Sequence, residues 1–364
     1  MMGRTSIAFA AALFAGVAHA APLTATEMLQ QFNVVVSGDL TSTSHVQGRT
    51  FVGGDLDGGV YVQSYPAVAA SAYAGLTVLG SATNKSGTNV HVEGLGAVIG
   101  ADAVGVDVKS KAAAYVGGNA TGSSFSGDTY VVGAATQVNF NGYAYAGSLH
   151  NTNNNNQLAG TTAAMDSTRA AATSTSFSTV MTQLSNQLAG LQNTKDADFT
   201  LSNNKHEVTF TGTGDANGLL VFDLTGREAD VFNKGVTDIH FNLTNATTIV
   251  INAKESVLNL EANFNQAMAL GSSLIWNFYG KDADITVDRT FGGQVLVADG
   301  SFSNRNGANV EGAVFAATLN QYGEIHQQVF SGNLAAAVPE AETYAMLLAG
   351  LGLLGVVARR RKQQ

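Results

Sequence analysis

Cysteine is absent from this sequence, and proline occurs only 3 times. Without cysteine no disulfide can form, so packing and backbone hydrogen bonds must hold the fold together. The same absence excludes a lipoprotein, because the lipid of such a protein is carried by a cysteine.

Charged residues are scarce, at 12% of the chain, and the 18 basic residues are outnumbered by 27 acidic ones. Five of the basic residues stand near the two ends of the chain: Arg4, Arg359, Arg360, Arg361 and Lys362. The middle of the chain is therefore more acidic than the net charge of −9 indicates. Nucleic-acid phosphates repel such a chain, which argues against nucleic acid as a partner.

Catalytic and zinc-binding motifs are also missing. The histidines show no H-x-x-x-H spacing, and each is predicted to lie in a loop or turn. No G-x-S-x-G elbow is present, and the glycines at 350, 352 and 355 lie inside a terminal apolar run rather than in a nucleotide-binding loop. We therefore expect neither an enzyme nor a cofactor.

One short stretch, Gly53–Gly59, is a weak calcium candidate. It places Asp55 and Asp57 two residues apart among glycines, as in a fragment of a calcium-binding β-roll. The motif occurs once rather than in successive repeats, so a plain glycine turn is the preferred interpretation and calcium the alternative.

The first twenty residues have the three parts of a secretory signal peptide. Arg4 supplies the early positive charge, an apolar stretch runs from Ile7 to Val17, and Ala18 and Ala20 form a small-x-small cleavage site. Cleavage is predicted after Ala20, which makes residues 1–20 a signal peptide for export.

The last residues, 339–364, have the form of a membrane tether. A polar lead with Pro339 and Glu340 precedes an apolar run from Tyr344 to Ala358, and Arg359, Arg360 and Arg361 follow directly. A helix over 344–358 spans about 22 Å, short of the roughly 30 Å hydrocarbon core, so a temporary tether fits better than a permanent anchor. The arginines should stay cytoplasmic while the rest of the chain is exported.

This tail resembles a PEP-CTERM sorting signal, with Ala341 where the family usually has a second proline. The resemblance implies processing by exosortase, a transient inner-membrane tether, and release to the cell surface or extracellular matrix of a Gram-negative bacterium that makes exopolysaccharide.

Between the two ends of the chain, short runs of apolar, β-forming residues are repeatedly followed by a glycine. The glycines concerned stand at intervals of 27, 20, 17, 16 and 14 residues: Gly53, Gly80, Gly100, Gly117, Gly133 and Gly147. Such intervals are typical of a β-solenoid, in which glycine allows positive φ or close backbone approach at the corners. An ordinary β-sandwich remains the alternative.

A glycine-poor segment interrupts this pattern and predicts one long amphipathic helix over about 162–191. Its apolar stripe comprises Phe177, Val180, Met181, Leu184, Leu188 and Leu191, with Ser185, Asn186 and Gln187 turned outward. Strands resume afterwards, and runs such as Thr248–Ile251 predict parallel strands buried on both sides. We interpret residues 21–332 as one domain and 333–338 as a linker to the tail.

The domain also resembles the choice-of-anchor A family. The resemblance rests on the opening segments Phe32–Leu40, Val46–Arg49 and Val52–Leu56 and on the closing segments Gly293–Ala298, Val310–Ala316 and Gly323–Phe330. It implies a mainly β fold: an irregular right-handed β-solenoid, ice-binding-protein-like and adhesive, with a helix packed along its flank.

These features favour a non-catalytic surface or matrix protein that acts in adhesion or in biofilm structure, with exopolysaccharide as a candidate partner. The alternative is a ligand-binding module for ice or polysaccharide. Ice binding calls for threonines in a flat array on successive coils, and four threonines, Thr41, Thr43, Thr211 and Thr213, are too scattered in sequence to indicate one. Polysaccharide lyases also use β-helices, but their sites gather basic and acidic residues in a groove.

Overall fold

The computed structural model describes residues 21–63, 68–153 and 157–334. It is mainly β, with a long parallel sheet that is consistent with a solenoid-like fold. The predicted signal peptide and the sorting tail, including the predicted membrane helix at 344–358, lie outside the described residues. Within the described residues, no helix has the length and apolarity needed to cross a bilayer.

The first half consists of one short helix and a series of short strands. These elements are α1 (Ala25–Gln31), β1 (Val34–Val36), β2 (Leu40–Ser42), β3 (His45–Val46), β4 (Thr50–Val52), β5 (Leu56–Asp57), β6 (Gly59–Tyr61), β7 (Leu76–Val78), β8 (Ala82–Thr83), β9 (Val90–Val92), β10 (Ala97–Ile99), β11 (Ala103–Val104), β12 (Val106–Val108), β13 (Ala114–Val116), β14 (Ala120–Thr121), β15 (Ser124–Phe125), β16 (Thr129–Thr136), β17 (Asn139–Phe140) and β18 (Ala144–His150).

Two central helices and longer strands make up the second half. These elements are α2 (Ala163–Ala172), α3 (Phe177–Ala189), β19 (Asp198–Leu201), β20 (Glu207–Thr213), β21 (Leu219–Asp223), α4 (Glu228–Val231), β22 (Asp238–Thr244), β23 (Thr248–Ala253), β24 (Val257–Leu260), β25 (Asn263–Phe264), α5 (Ala267–Leu270), β26 (Leu274–Phe278), β27 (Ala283–Val287), β28 (Phe291–Asn304), β29 (Val310–Gln321) and β30 (Ile325–Gln327).

In the first half, most strands pair in parallel with the strand three places further along the chain. Three ladders result. The helix face runs through β1, β4, β7, β10, β13, β16 and β18. The polar face runs through β2, β5, β8, β11, β14 and the second parts of β16 and β18. The third face runs through β3, β6, β9, β12, β15 and β17.

The second half extends all three faces from the opposite direction, the third through β30, which pairs with β3. Strands β21, β23, β26, β28 and β29 continue the helix face, and β24, β27, β28 and β29 continue the polar face. A separate four-stranded sheet contains β19, β20, β22 and β25, with β19 antiparallel.

The first and last strands meet in the middle of the long sheet, at a junction that we call the closing seam. There β1 and β2 pair with β29, and β3 pairs with β30. The chain thus starts in the middle, builds outward to β18, returns along α2 and α3, and builds back to the middle.

The predicted single helix over 162–191 is wrong in one respect, because the structure has two helices, α2 and α3, separated by residues 173–176. All four of these residues are serine or threonine, whose hydroxyls compete for backbone groups and disfavour helix interiors. Ser174 Oγ donates to the carbonyl of Ala171 at 2.9 Å, and Thr175 Oγ1 accepts from the N–H of Leu23 at 2.9 Å. The hydroxyl run therefore ends α2 and turns the chain into α3.

The predicted apolar stripe is confirmed on α3, where its central members Phe177, Met181, Leu184 and Leu188 are fully buried. They pack with outward-facing residues of the helix face, such as Val35. The stripe is therefore part of the core.

The predicted outward position of Ser185 is wrong, because this residue is only 4% exposed. Its Oγ donates to Asn277 Oδ1 at 2.7 Å, and Asn277 Nδ2 donates to the Ser185 carbonyl and to Asn252 Oδ1. Asn252 Nδ2 in turn donates to the carbonyl of Leu188 at 2.8 Å. A satisfied polar network thus fixes α3 on the sheet, which periodicity of apolar residues alone cannot reveal.

The core differs between the two halves of the chain. Inward positions of the first half are mostly valine, alanine and leucine, whereas Trp276 and a group of phenylalanines fill the second half. At the corners of the first half, successive turns approach closely: a Cβ on Gly100 would collide with the carbonyl oxygen of Leu79, and one on Gly117 with that of Gly100. Close approach, rather than positive φ, accounts for these two glycines.

Candidate functional site

The polar face presents one outward residue from each strand that crosses it. Side chains alternate along a strand, and the inward neighbours such as Leu40, Leu56 and Ala120 are core residues. The register aligns the outward residues into a single line, the polar row: Asn259, Thr286, Ser303, Asn320, Thr41, Asp57, Thr83, Val104, Thr121, Thr136 and His150. The polar row crosses the closing seam without a break.

A four-residue repeat produces the first-half part of the polar row. Its four positions hold, in order, a small residue, a residue that is polar in most copies, an apolar residue and the outward-facing residue. The repeat occurs at Gly38–Thr41, Gly54–Asp57, Gly80–Thr83, Ala101–Val104, Gly118–Thr121, Gly133–Thr136 and Gly147–His150. The first position makes the corner and the third enters the core. The fourth position therefore faces away from the core on every turn, although Thr83 at this position is only 8% exposed.

The polar second position of the repeat links one turn to the next. The side-chain oxygens of Asp39, Asp55, Asp102 and Asn119 each accept a backbone N–H from the following turn, at 2.7–2.9 Å. These bonds satisfy corner amides that the short strands leave unpaired.

The two calcium candidates occupy different places in this arrangement. Asp55 is a corner residue whose Oδ1 accepts the N–H of Ser81 at 2.8 Å. Asp57 belongs to the polar row, and its Oδ1 and Oδ2 accept the N–H of Ser86 at 3.1 and 3.0 Å. Among the described residues, no group of three or more histidine, aspartate or glutamate side chains is arranged to hold a metal ion.

The threonines singled out from the sequence do not lie together. Thr41 is in the polar row, Thr43 lies just past the end of β2, and Thr211 and Thr213 belong to β20 in the four-stranded sheet. Sequence reasoning missed Thr83, Thr121 and Thr136, which the structure aligns with Thr41. The four-residue repeat could have identified these threonines, because each of them stands three residues after the small residue that forms a corner.

Three tyrosines form a ladder on the helix face, beyond the end of α2. The ring centroids of Tyr115 and Tyr130 are 6.0 Å apart, those of Tyr130 and Tyr145 are 4.4 Å apart, and the planes are nearly parallel. The guanidinium of Arg169 covers Tyr115 at 4.2 Å from the ring centroid. The rings therefore stack on one another and leave the outer face of Tyr145 as the end of the ladder, rather than forming an aromatic groove.

The predicted loop or turn positions of the histidines are wrong for several of them. His45, His91, His150, His240 and His326 lie on strands β3, β9, β18, β22 and β30.

His326 lies at the closing seam between two carboxylates. Its Nδ1 is 2.6 Å from Glu311 Oε1, and its Nε2 is 2.8 Å from Glu324 Oε2. The other oxygen of the Glu324 carboxylate is 3.5 Å from His45 Nδ1. Burial by itself lowers the pKa of His326, but its hydrogen bonds to Glu324 and Glu311 outweigh that effect, so the net pKa is raised. This cluster stabilises the junction between the first and last strands.

Comparison with known protein families agrees with both resemblances found in the sequence. A family model described as "Putative Ice-binding-like adhesive domain" matches residues 25–327. A second, described as "PEP-CTERM protein-sorting motif", matches residues 337–362. No curated protein and no solved structure gives a significant match to the chain. The first of these matches covers more than half of the chain.

Proposed function

The chain belongs to the family of Ice-binding-like adhesive domains, and from this premise we propose that it is a non-catalytic adhesin of the cell surface or exopolysaccharide matrix. The two family matches support an exported cell-surface protein. The observation that supports the adhesive role is the polar row, a line of side chains in register that crosses both halves of the long sheet. Such a line offers many weak, equally spaced contacts to an extended surface.

Export and sorting follow the signals at the two ends of the chain. Cleavage after Ala20 removes the signal peptide, the helix at 344–358 tethers the protein briefly to the inner membrane of a Gram-negative cell, and exosortase removes Arg359–Arg361. The match to the sorting motif supports the exosortase step.

The parallel strands of residues 21–332 are proposed to form one right-handed solenoid. Pairing of β1 with β29 supports a single unit, because it joins the two halves of the chain. Crossover connections between parallel strands of one sheet are right-handed in about 98% of cases, which supports the hand.

Deletion of the gene in the native host should reduce attachment and biofilm mass, and the wild-type gene should restore both. A Thr121→Lys, Thr136→Lys variant should be exported but should fail to restore them, because it puts two bulky cations into the polar row. Ser124→Lys on the third face is the matched control and should restore both properties. Mass spectrometry of the extracellular protein checks that residues 1–20 and Arg359–Arg361 are missing.

Unchanged attachment and biofilm mass in the deletion strain would overturn the adhesive role. Full rescue by the Thr121→Lys, Thr136→Lys variant would instead show that the polar face is not the adhesive surface.

A second candidate function, binding of ice or polysaccharide, is favoured by the threonines of the polar row. Thr121 and Thr136 stand directly opposite each other on neighbouring strands, so their hydroxyls repeat at the strand spacing of about 4.8 Å. A regular hydroxyl array can order water or contact a repeating polymer. Inhibition of ice recrystallisation that disappears in Thr121→Leu would assign ice, and retention on exopolysaccharide that disappears in the same variant would assign the polymer. Absence of both activities would rule this function out.

A further inference from the structure

The strands at the two ends of the long sheet differ in whether other residues hydrogen-bond to their outer edges. At the end formed by β21, the segment that leaves α3 covers the strand edge. The N–H of Val221 donates to Thr194 Oγ1 at 2.9 Å, the N–H of Asp223 donates to Asn193 Oδ1 at 3.0 Å, and the N–H of Thr194 donates to the Val221 carbonyl. The edge of β21 is therefore closed to a further strand.

The opposite end is formed by β18, which pairs with β16 on one side only. On its other side, the described residues contribute only an isolated bridge from Ala144 to Gln157 and a hydrogen bond from Leu158 to the Ala144 carbonyl. Within the part of the chain that the structure describes, residues 145–150 have no strand beyond them. The edge contains neither lysine nor proline, the residues that commonly protect exposed strand edges.

The core is also uncovered at this end. Leu149 continues the inward line of Leu40, Leu56 and Ala135, and it is 39% exposed whereas those residues are at most 1% exposed. A small open cavity of about 120 Å³ lies beside it, lined by Tyr145, Leu158 and their neighbours. The outer ring face of Tyr145, the last member of the tyrosine ladder, is unstacked among the described residues, and this residue is 36% exposed.

The charge distribution makes this end suitable for contact between identical molecules. Residues 129–165 contain no Asp, Glu, Lys or Arg, and no other stretch of the chain is uncharged for as long. Two copies of an acidic protein, with net charge −9, repel each other over most of their surface. At this end they can approach without placing like charges in contact, and the exposed Val132 and Tyr143 add apolar area.

We propose that a second copy of this chain packs against this end, so that the β18 edges of two molecules pair about a two-fold axis. Each copy offers the other a strand edge and apolar area that covers the exposed end of the core and of the tyrosine ladder. A two-fold contact is favoured over head-to-tail growth because the covered edge of β21 cannot receive β18. This self-association is independent of which surface the polar face binds.

Analytical ultracentrifugation of the secreted protein, over a range of concentrations, tests this arrangement. The wild type should sediment with twice the mass of one chain at high concentration. Leu149→Asp should sediment as a single chain, because it places a carboxylate in the apolar contact on each copy. Val257→Asp, which alters a 76% exposed valine on β24, is the matched control and should remain a dimer.

Tyr145→Lys provides a second variant on a partly exposed side chain, in case Leu149→Asp fails to fold, and it should also give single chains. A wild type that stays a single chain at every concentration would overturn the proposal. So would dimers that persist in both end variants, or assemblies larger than two that grow with concentration.

Discussion

Trp276→Ala is expected to lower the free energy of unfolding by about 3–5 kcal/mol, the usual cost of truncating a fully buried aromatic side chain. Trp276 is 0% exposed and its ring centroid lies 5.0 Å from that of Phe291. Its Nε1 donates to the carbonyl of Gly292 at 2.9 Å, so the truncation also leaves a buried acceptor without its partner. Urea unfolding followed by circular dichroism measures the change.

Two variants serve as controls for this prediction. Trp276→Phe keeps most of the ring and should cost less than Trp276→Ala. Tyr322→Ala removes an aromatic ring from a residue that is 49% exposed, and should change stability by no more than about 0.5 kcal/mol. Equal stability of Trp276→Ala and wild type would contradict the aromatic core of the second half.

At a pH below about 6.5, where the imidazole is protonated, His326→Ala is expected to lower the free energy of unfolding by about 3–5 kcal/mol, because it leaves the carboxylate of Glu311 buried without its partner. The Glu311 side chain is only 8% exposed, and its Oε2 has no hydrogen-bond partner among the described residues. The double variant Glu311→Gln, His326→Ala should recover much of the loss, because it carries no buried charge. His91→Ala is the matched control: its ion pair with Asp107 is about one-third exposed, and its loss should cost at most about 1 kcal/mol.

The same cluster predicts a direction for the pH dependence of stability. The pKa of His326 is higher in the folded protein than in the unfolded chain. Its contribution to stability is therefore fully present below the unfolded value of about 6.5 and is lost as the pH rises through the folded value. Besides Glu311 and Glu324, His45 faces the cluster, 3.5 Å from the Glu324 carboxylate. Urea midpoints that fall with rising pH in wild type but not in the double variant would assign the effect to this cluster.

Local order along the chain was well predicted from sequence. The apolar runs that end in glycine correspond to the short strands of the helix face and their corners, as at Phe51–Gly53 and Val98–Gly100. The short helix α1 begins at a capping box that Thr24 and Glu27 form, three residues apart in the sequence. The uninterrupted apolar run at Thr248–Ile251 is a parallel strand buried on both sides, as predicted. In each case the signal lies within a few neighbouring residues.

Features that depend on distant parts of the chain were missed. No local pattern shows that Val34 pairs with Val314, because the strands on either side of the closing seam have ordinary β-forming sequences. Ser185 looked exposed because hydroxyl residues usually are, and its partner Asn277 is 92 residues away. The polar row was missed for a different reason: its repeat has a fixed internal order but a variable distance between copies, so counting threonine spacings does not reveal it.

The closing seam has a consequence for how this protein reaches its native state. Asn33 Nδ2 donates to the carbonyl of Gly312, a contact between residues 279 positions apart, and β1 gains its second neighbour only when β29 arrives. Contacts of such high sequence separation slow folding, because the loop between them must be closed before they form. During synthesis the N-terminal strands emerge first, at about 5–20 residues per second. One edge of β1 therefore stays unpaired until Val314–Ala316 have been made, which gives chaperones a defined interval in which to act.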